Sequence, residues 1–265
     1  MWPAISLTAR IVIIAYTAIV GLGAAANALG FVTPLPELEM WIWFLSLIVL
    51  GVENVITLFV RHVRTRRGKR GAALEDALAT ALIQIVRENP ALHLEELGAN
   101  VYMFSRWDRF RRVDHEQTRL NRVARLRPGR YPQQSGVDWA AGKGAVGVCW
   151  SMKKRIHRDW HALAEKYGSA ELDRATFDAI PDATRCGFTL TEFQAIVGKY
   201  SEVLAEPIWD PRKTGVITGV ITIDRAYRAT SEVFMAQLDK RATHASAGIA
   251  AGVVSRILKP RSVEE

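Results

Sequence analysis

Two long apolar runs open the chain, and a different pattern follows them. Residues 11–32, "IVIIAYTAIVGLGAAANALGFV", are apolar apart from Tyr16, Thr17 and Asn27, and residues 41–60 read "WIWFLSLIVLGVENVITLFV". Each is as long as the roughly 20 residues needed to cross a bilayer as a helix. From Ala72 the spacing changes, with Leu74, Leu78, Leu82 and Val86 recurring every fourth position beside Ala77, Ala81 and Ile85. That spacing, with Glu75 and Asp76 in its first turn, predicts an amphipathic helix ended by Asn89-Pro90. Residues 99–105 and 119–128 predict strands, the second stopped by Pro128-Gly129. A long helix is expected over 145–167, then two strands at 201–210 and 215–225 joined through "PRKT". A closing helix is expected from about Thr230 to Leu258. The expected fold class is α+β, an antiparallel sheet flanked by helices and preceded by two transmembrane helices.

Charge gives the apolar runs an orientation. Residues 1–60 hold Arg10 against Glu37, Glu39 and Glu53, whereas "RHVRTRRGKR" at 61–70 holds six Lys or Arg and no acid. The formal net charge of +8 is therefore partly the property of that short run. The loop between the runs, "TPLPELEM", is short and acidic, so the positive-inside rule turns it outward and leaves both termini cytoplasmic. The expected organisation is a membrane hairpin over 1–62, a basic linker over 63–72, a cytoplasmic domain over 73–258 and a tail over 259–265. The expected location is a bacterial inner (cytoplasmic) membrane. The small residues of "GAAANA" also suit a signal peptidase, which leaves open whether the first run is retained. Arg61, Arg64, Arg66, Arg67, Lys69 and Arg70 fit anionic lipid headgroups, or a topology signal and nothing more. Glu53, roughly 10 Å inside the hydrocarbon, lies with Asn54 at a depth where Tyr16 and Thr17 offer hydrogen bonds. It reads either as a pair that holds the hairpin or as an ion path or assembly contact.

Cys149 and Cys186 stand far apart, with no spacing that suggests a disulfide framework or a zinc site. Gly142, Gly144 and Gly147 have the spacing G-x-G-x-x-G of a dinucleotide-binding loop, which has a mechanical meaning only after a buried strand and before an acid about 20 residues on. Neither is present in the pattern, so NAD is not expected. His157 and His161, four apart on the expected helix, can share a metal, but Arg158 occupies the place of a general-base Glu and no third ligand is evident. No metal is expected. No nucleophile elbow, P-loop or paired carboxylates mark an enzyme, and catalysis is not expected. Nine arginines between Arg106 and Arg130 can grip phosphate, although strand alternation makes Arg125 and Arg127 the solvated face. Nucleic acid is therefore outside the expected partners.

Three stretches together resemble a GAF domain, a small-molecule sensor family: "LGANVYMFS", "GKGAVGVCWSMKK" and "EVLAEPIWDPRKTGVITGVITID". The resemblance covers roughly residues 73–258. It implies a central antiparallel sheet with helices on one face and a ligand pocket on the other. It also implies ligand contacts at Trp139, Gly144, Cys149 and Trp150, while naming no ligand or cofactor. Residues 156–198 are longer than the family's usual interval. The resemblance also allows Cys149 a thioether-linked chromophore, but its residue type reads first as a buried small hydrophobe. The last helix, with Ala245, Gly248, Ala250 and Gly252, suits a homodimer or packing on its own sheet. The expected function is a membrane-anchored cytoplasmic sensor that binds a small molecule or partner and signals, through the hairpin or a dimer interface, to an output protein. The alternatives are a ligand-gated effector that oligomerises and permeabilises the membrane, and a scaffold without a ligand.

Overall fold

A computed structural model describes residues 36–104, 119–129, 131–169, 171–229 and 234–258. The chain divides into two units, residues 1–68 and 69–265. The first contains most of helix α1 (Pro36–Glu88), whose backbone is helical throughout residues 41–60. Glu53, Asn54, Arg61, Arg64, Arg66 and Arg67 lie on this helix, with side chains outside the described residues. Tyr16 and Thr17, with the whole first apolar run, also lie outside them. Among the described residues no helix is long and apolar enough to cross a membrane.

In the second unit α1 begins with Lys69 and Arg70 exposed and then buries Leu74, Leu78, Leu82 and Ile85, as the fourfold spacing predicts. It stops at Glu88, because Pro90 has no N–H to continue the ladder. The sheet holds β1 (Leu97–Phe104), β2 (Leu120–Leu126), β3 (Ile156–Asp159), β4 (Tyr200–Trp209) and β5 (Ile217–Ala226) in the order β2-β1-β5-β4-β3. All neighbours are antiparallel. This is the expected α+β class, an antiparallel sheet flanked by helices, but with helices on both faces rather than on one. One face carries Leu97, Ala99, Val101, Leu204, Ile221 and Ile223, which pack on α1 and on the last helix, α7 (Arg241–Leu258). Ala247, Ala250 and Ala251 keep α7 close to the strands.

The opposite face packs against α2 (Gly144–Met152). Beside it lies a satellite core of Trp160, Phe177, Phe188 and Phe193. That core is built by α3 (His161–Tyr167), α4 (Arg174–Ala179), α5 (Asp182–Arg185) and α6 (Leu190–Val197). Asp173 caps α4 through the Thr176 N–H, and Thr189 with Glu192 forms a capping box on α6. These short helices are the physical content of the long interval between residues 156 and 198.

Three expectations need correction. The helix expected over 145–167 is broken at Lys153, which adopts φ 52° as the left-handed C-cap of α2. The chain then forms β3, because pairing with the free edge of β4 satisfies its backbone and draws Ile156 into the core. The last helix starts at Arg241 rather than near Thr230, for residues 234–240 are held in an irregular path by bonds to Glu202. Arg127 is not solvated: its side chain is 5% exposed.

Candidate functional site

Gly144 of the G-x-G-x-x-G motif lines one wall of a cavity. Gly142 and Gly144 have φ values of 76° and 61°, a region that costs an L-residue roughly 1–2 kcal/mol. A Cβ on Gly144 would stand 2.7 Å from Phe188 and 2.9 Å from Trp139, so the absent side chain lets both rings close over the start of α2. The amide of Gly144 donates to Cys186 O at 2.7 Å, which ties α2 to the satellite core.

Beneath these rings lies a cavity of about 40 Å³, floored by the sheet face opposite α1 and α7. Asn100 and Tyr102 alternate on β1, and Thr222 and Asp224 alternate on β5, so the two pairs share one face. Trp139, Trp160, Phe188 and Tyr200 wall it. Trp139 meets Tyr102 edge-on at 5.5 Å and Phe188 at 5.9 Å, and Trp160 meets Phe188 at 6.0 Å. Burial pushes the Tyr102 phenol well above its ordinary range, so it stays neutral.

A charged network runs under the floor. Arg127 donates to Asp224 Oδ1, with the two side chains 5% and 4% exposed. Asn100 Nδ2 donates to Asp224 Oδ2 at 3.0 Å and to Thr222 Oγ1 at 3.3 Å. Burial pulls the Arg127 pKa down to about 10, which leaves it charged at neutral pH. A Cβ on Gly98 would collide with the Arg127 guanidinium, so this glycine opens the path across β1.

Of the four contacts implied by the resemblance, Trp139 and Gly144 line the cavity. Cys149 and Trp150 do not line it; they are packed inside the core between α2 and the sheet. Burial pushes the Cys149 thiol up to about 12, far from a nucleophile at neutral pH. His157 lies on β3 and His161 opens α3, so they do not share a helix face. Among the described residues no group of three or more His, Cys, Asp and Glu side chains is placed to hold a metal ion.

Sequence reasoning missed Asn100, Tyr102, Thr222, Asp224 and Arg127. One signal was present: a single acid in the otherwise uncharged strand "GVITGVITID" and a single amide in "LGANV" interrupt runs that a buried sheet needs largely apolar.

A second cluster surrounds the fully buried Glu202 on the α7 side of the sheet. Its carboxylate accepts from the amides of Gln237 and Leu238, at 2.9 and 2.7 Å to Oε2. It also lies 3.2 Å from His157 Nε2 and 3.5 Å from Arg225. Burial alone would push its pKa up, but these bonds outweigh burial and hold it below the usual carboxylate range.

No protein-family model matches the chain, and no curated protein does. Among solved structures it is similar to the type II free methionine-R-sulfoxide reductase from Thermoplasma acidophilum, at 11% identity, with 72% of this chain and 94% of that one covered and a TM-score of 0.38. The free methionine-R-sulfoxide reductase from Neisseria meningitidis, in complex with its substrate, gives 13% identity, coverage of 73% and 86%, and a TM-score of 0.35. The blue-light absorbing form of the Thermosynechococcus elongatus PixJ GAF domain gives 16%, 73% and 89%, and 0.34.

Proposed function

We propose that the chain is a membrane-anchored sensor whose GAF-like domain binds a small molecule in the cavity over β1, β5 and β4. The observation that carries this reading is Asn100, a nearly sealed amide whose Oδ1 has no hydrogen-bond partner among the described residues and which lines that cavity. An unsatisfied buried acceptor costs about 1–3 kcal/mol, and a ligand's N–H or O–H recovers it. Anchoring is supported by the two apolar runs, the acidic loop and the basic run in the sequence, a pattern that fits a domain on the cytoplasmic side of a bacterial inner membrane. Ligand occupancy would be passed to an output protein through the hairpin or a homodimer, without catalysis. The exposed row Ala245, Ile249 and Val253 on α7 offers such a dimer its surface.

The size of the cavity favours a second reading, a scaffold without a ligand. About 40 Å³ is well below the roughly 300–1,000 Å³ of drug-sized ligand sites. One experiment separates the two. The full chain is purified in lipid nanodiscs, denatured, and the released small molecules are identified by mass spectrometry, with Trp139→Ala alongside. A stoichiometric compound that Trp139→Ala fails to retain supports the sensor. An empty protein that also shifts no ligand-detected NMR signal from a fragment library supports the scaffold.

A further inference from the structure

The chemistry of the cavity wall selects its occupant. Of the thirteen lining residues, Asp224 is the one that carries charge, and no Lys, Arg or His is among them. Arg127 pairs with Asp224 Oδ1 from the β2 side without lining the cavity. The orientation of the Asn100 amide is fixed by its neighbour, because Asp224, as a carboxylate, only accepts and therefore takes the Nδ2 donor. Asn100 Oδ1 is thus left as an acceptor without a donor. An anionic ligand would meet a carboxylate and an amide oxygen with no cation on the wall to receive it. A neutral alcohol would satisfy Asn100 and leave Asp224 and the rings unused. A cation with N–H donors matches best, since it bonds to Asn100 Oδ1, meets the carboxylate end of the Asp224–Arg127 pair rather than its guanidinium, and gains about 0.5–2 kcal/mol over an aromatic face.

Resting on the reading of this cavity as a binding site, we propose that it takes a small organic ammonium ion, with Asn100 and Asp224 as its polar contacts and Trp139, Tyr102 and Phe188 as its aromatic surround. The size sets the length of the ligand. A cavity of about 40 Å³, against roughly 150 Å³ for one that admits benzene, accepts a head group of a few heavy atoms.

The test uses the full chain in lipid nanodiscs and four probes at equal ionic strength: ethylammonium chloride, potassium chloride, sodium propionate and propanol. Saturation-transfer NMR reads the three organic probes, and potassium is read by competition. Ethylammonium is expected to bind and to resist displacement by equimolar potassium. Asn100→Leu should weaken it at least tenfold. Phe188→Leu, which keeps the acceptor and removes a ring, should weaken it severalfold, and thermal unfolding checks that both variants are folded. Full displacement by potassium, or unchanged affinity in Asn100→Leu, would overturn the assignment. Binding of propionate or propanol at the Asn100-dependent site, with ethylammonium silent, would overturn the ammonium class and leave the cavity as a site. Silence from every probe would overturn both.

Discussion

Arg127, just beyond the end of β2, crosses over Gly98 of β1 to pair with Asp224 on β5, and both side chains are almost sealed from water. Taking either charge out of water is costly, and the pair is tolerated because each compensates the other. Removing one partner leaves a buried charge alone. Asp224→Asn or Arg127→Met is therefore expected to cost about 3–5 kcal/mol, read as a lower midpoint in urea unfolding. The double variant should recover more than half of the loss. A double variant no better than the worse single one would show that the two residues are not coupled.

The glycine motif predicts an order of tolerance. Gly142 and Gly144 both have positive φ, but a Cβ at Gly142 meets nothing within 4 Å, whereas at Gly144 it meets Phe188 and Trp139. At Gly147 it would strike the carbonyl of Ala140, which is backbone and cannot swing aside. Alanine should therefore cost about 1–2 kcal/mol at Gly142, more at Gly144 and most at Gly147. Equal losses at all three in chemical denaturation would refute the steric account.

Thiol chemistry gives a third test. Burial raises the pKa of both Cys149 and Cys186, and reactivity follows the thiolate. Neither cysteine of the native protein should be alkylated by iodoacetamide at about pH 8, near the ordinary thiol pKa. Both should react within minutes in denaturant, and mass spectrometry counts the adducts.

Glu202 makes stability depend on acid. Its folded pKa lies below the ordinary value because His157, Gln237 and Leu238 outweigh burial. Between the two values the unfolded state binds the proton that the folded state refuses, so stability rises with pH there. The contribution is complete above the unfolded Glu value of about 4.3 and disappears as pH falls through the lower folded value. Glu202→Gln should be less stable at neutral pH by about 2–3 kcal/mol. It should also show a flatter acid limb when denaturation is repeated from about pH 6 to about pH 3, a range that brackets the ordinary Glu value. An unchanged acid limb would assign that limb to other carboxylates.

Local signals made part of this legible in the sequence. β1, β2 and the β4–β5 hairpin follow from alternation and from the turn at "PRKT", and the part of α1 after Ala72 follows from its leucine spacing, whereas the helix also runs unbroken through residues 63–72, expected as a linker. The break after Met152 was hidden, since "KKRIHRDWHALAEKY" has helix-forming composition and its strand exists only through pairing with β4, some 45 residues on. The start of α7 was misplaced for a similar reason. Residues 237 and 238 give their amides to Glu202, a partner 35 residues back that no local window contains. The site was half visible. Gly144 stands in the glycine motif and Trp139 three residues before its first glycine, while Asn100 and Asp224 come together only once β1 lies against β5.

The two faces of the sheet are chemically unlike, one aliphatic toward α1 and α7 apart from the Glu202 cluster at its edge, the other polar and aromatic toward α2 and the satellite helices. Within a strand, adjacent positions thus answer to different pressures: Ala99 and Val101 to the volume of the core, Asn100 and Tyr102 to the polarity of the cavity they line. A lineage can change the lining of the cavity at positions such as Tyr102 and Thr222, whereas Asp224 is paired with Arg127 and can change only in step with it.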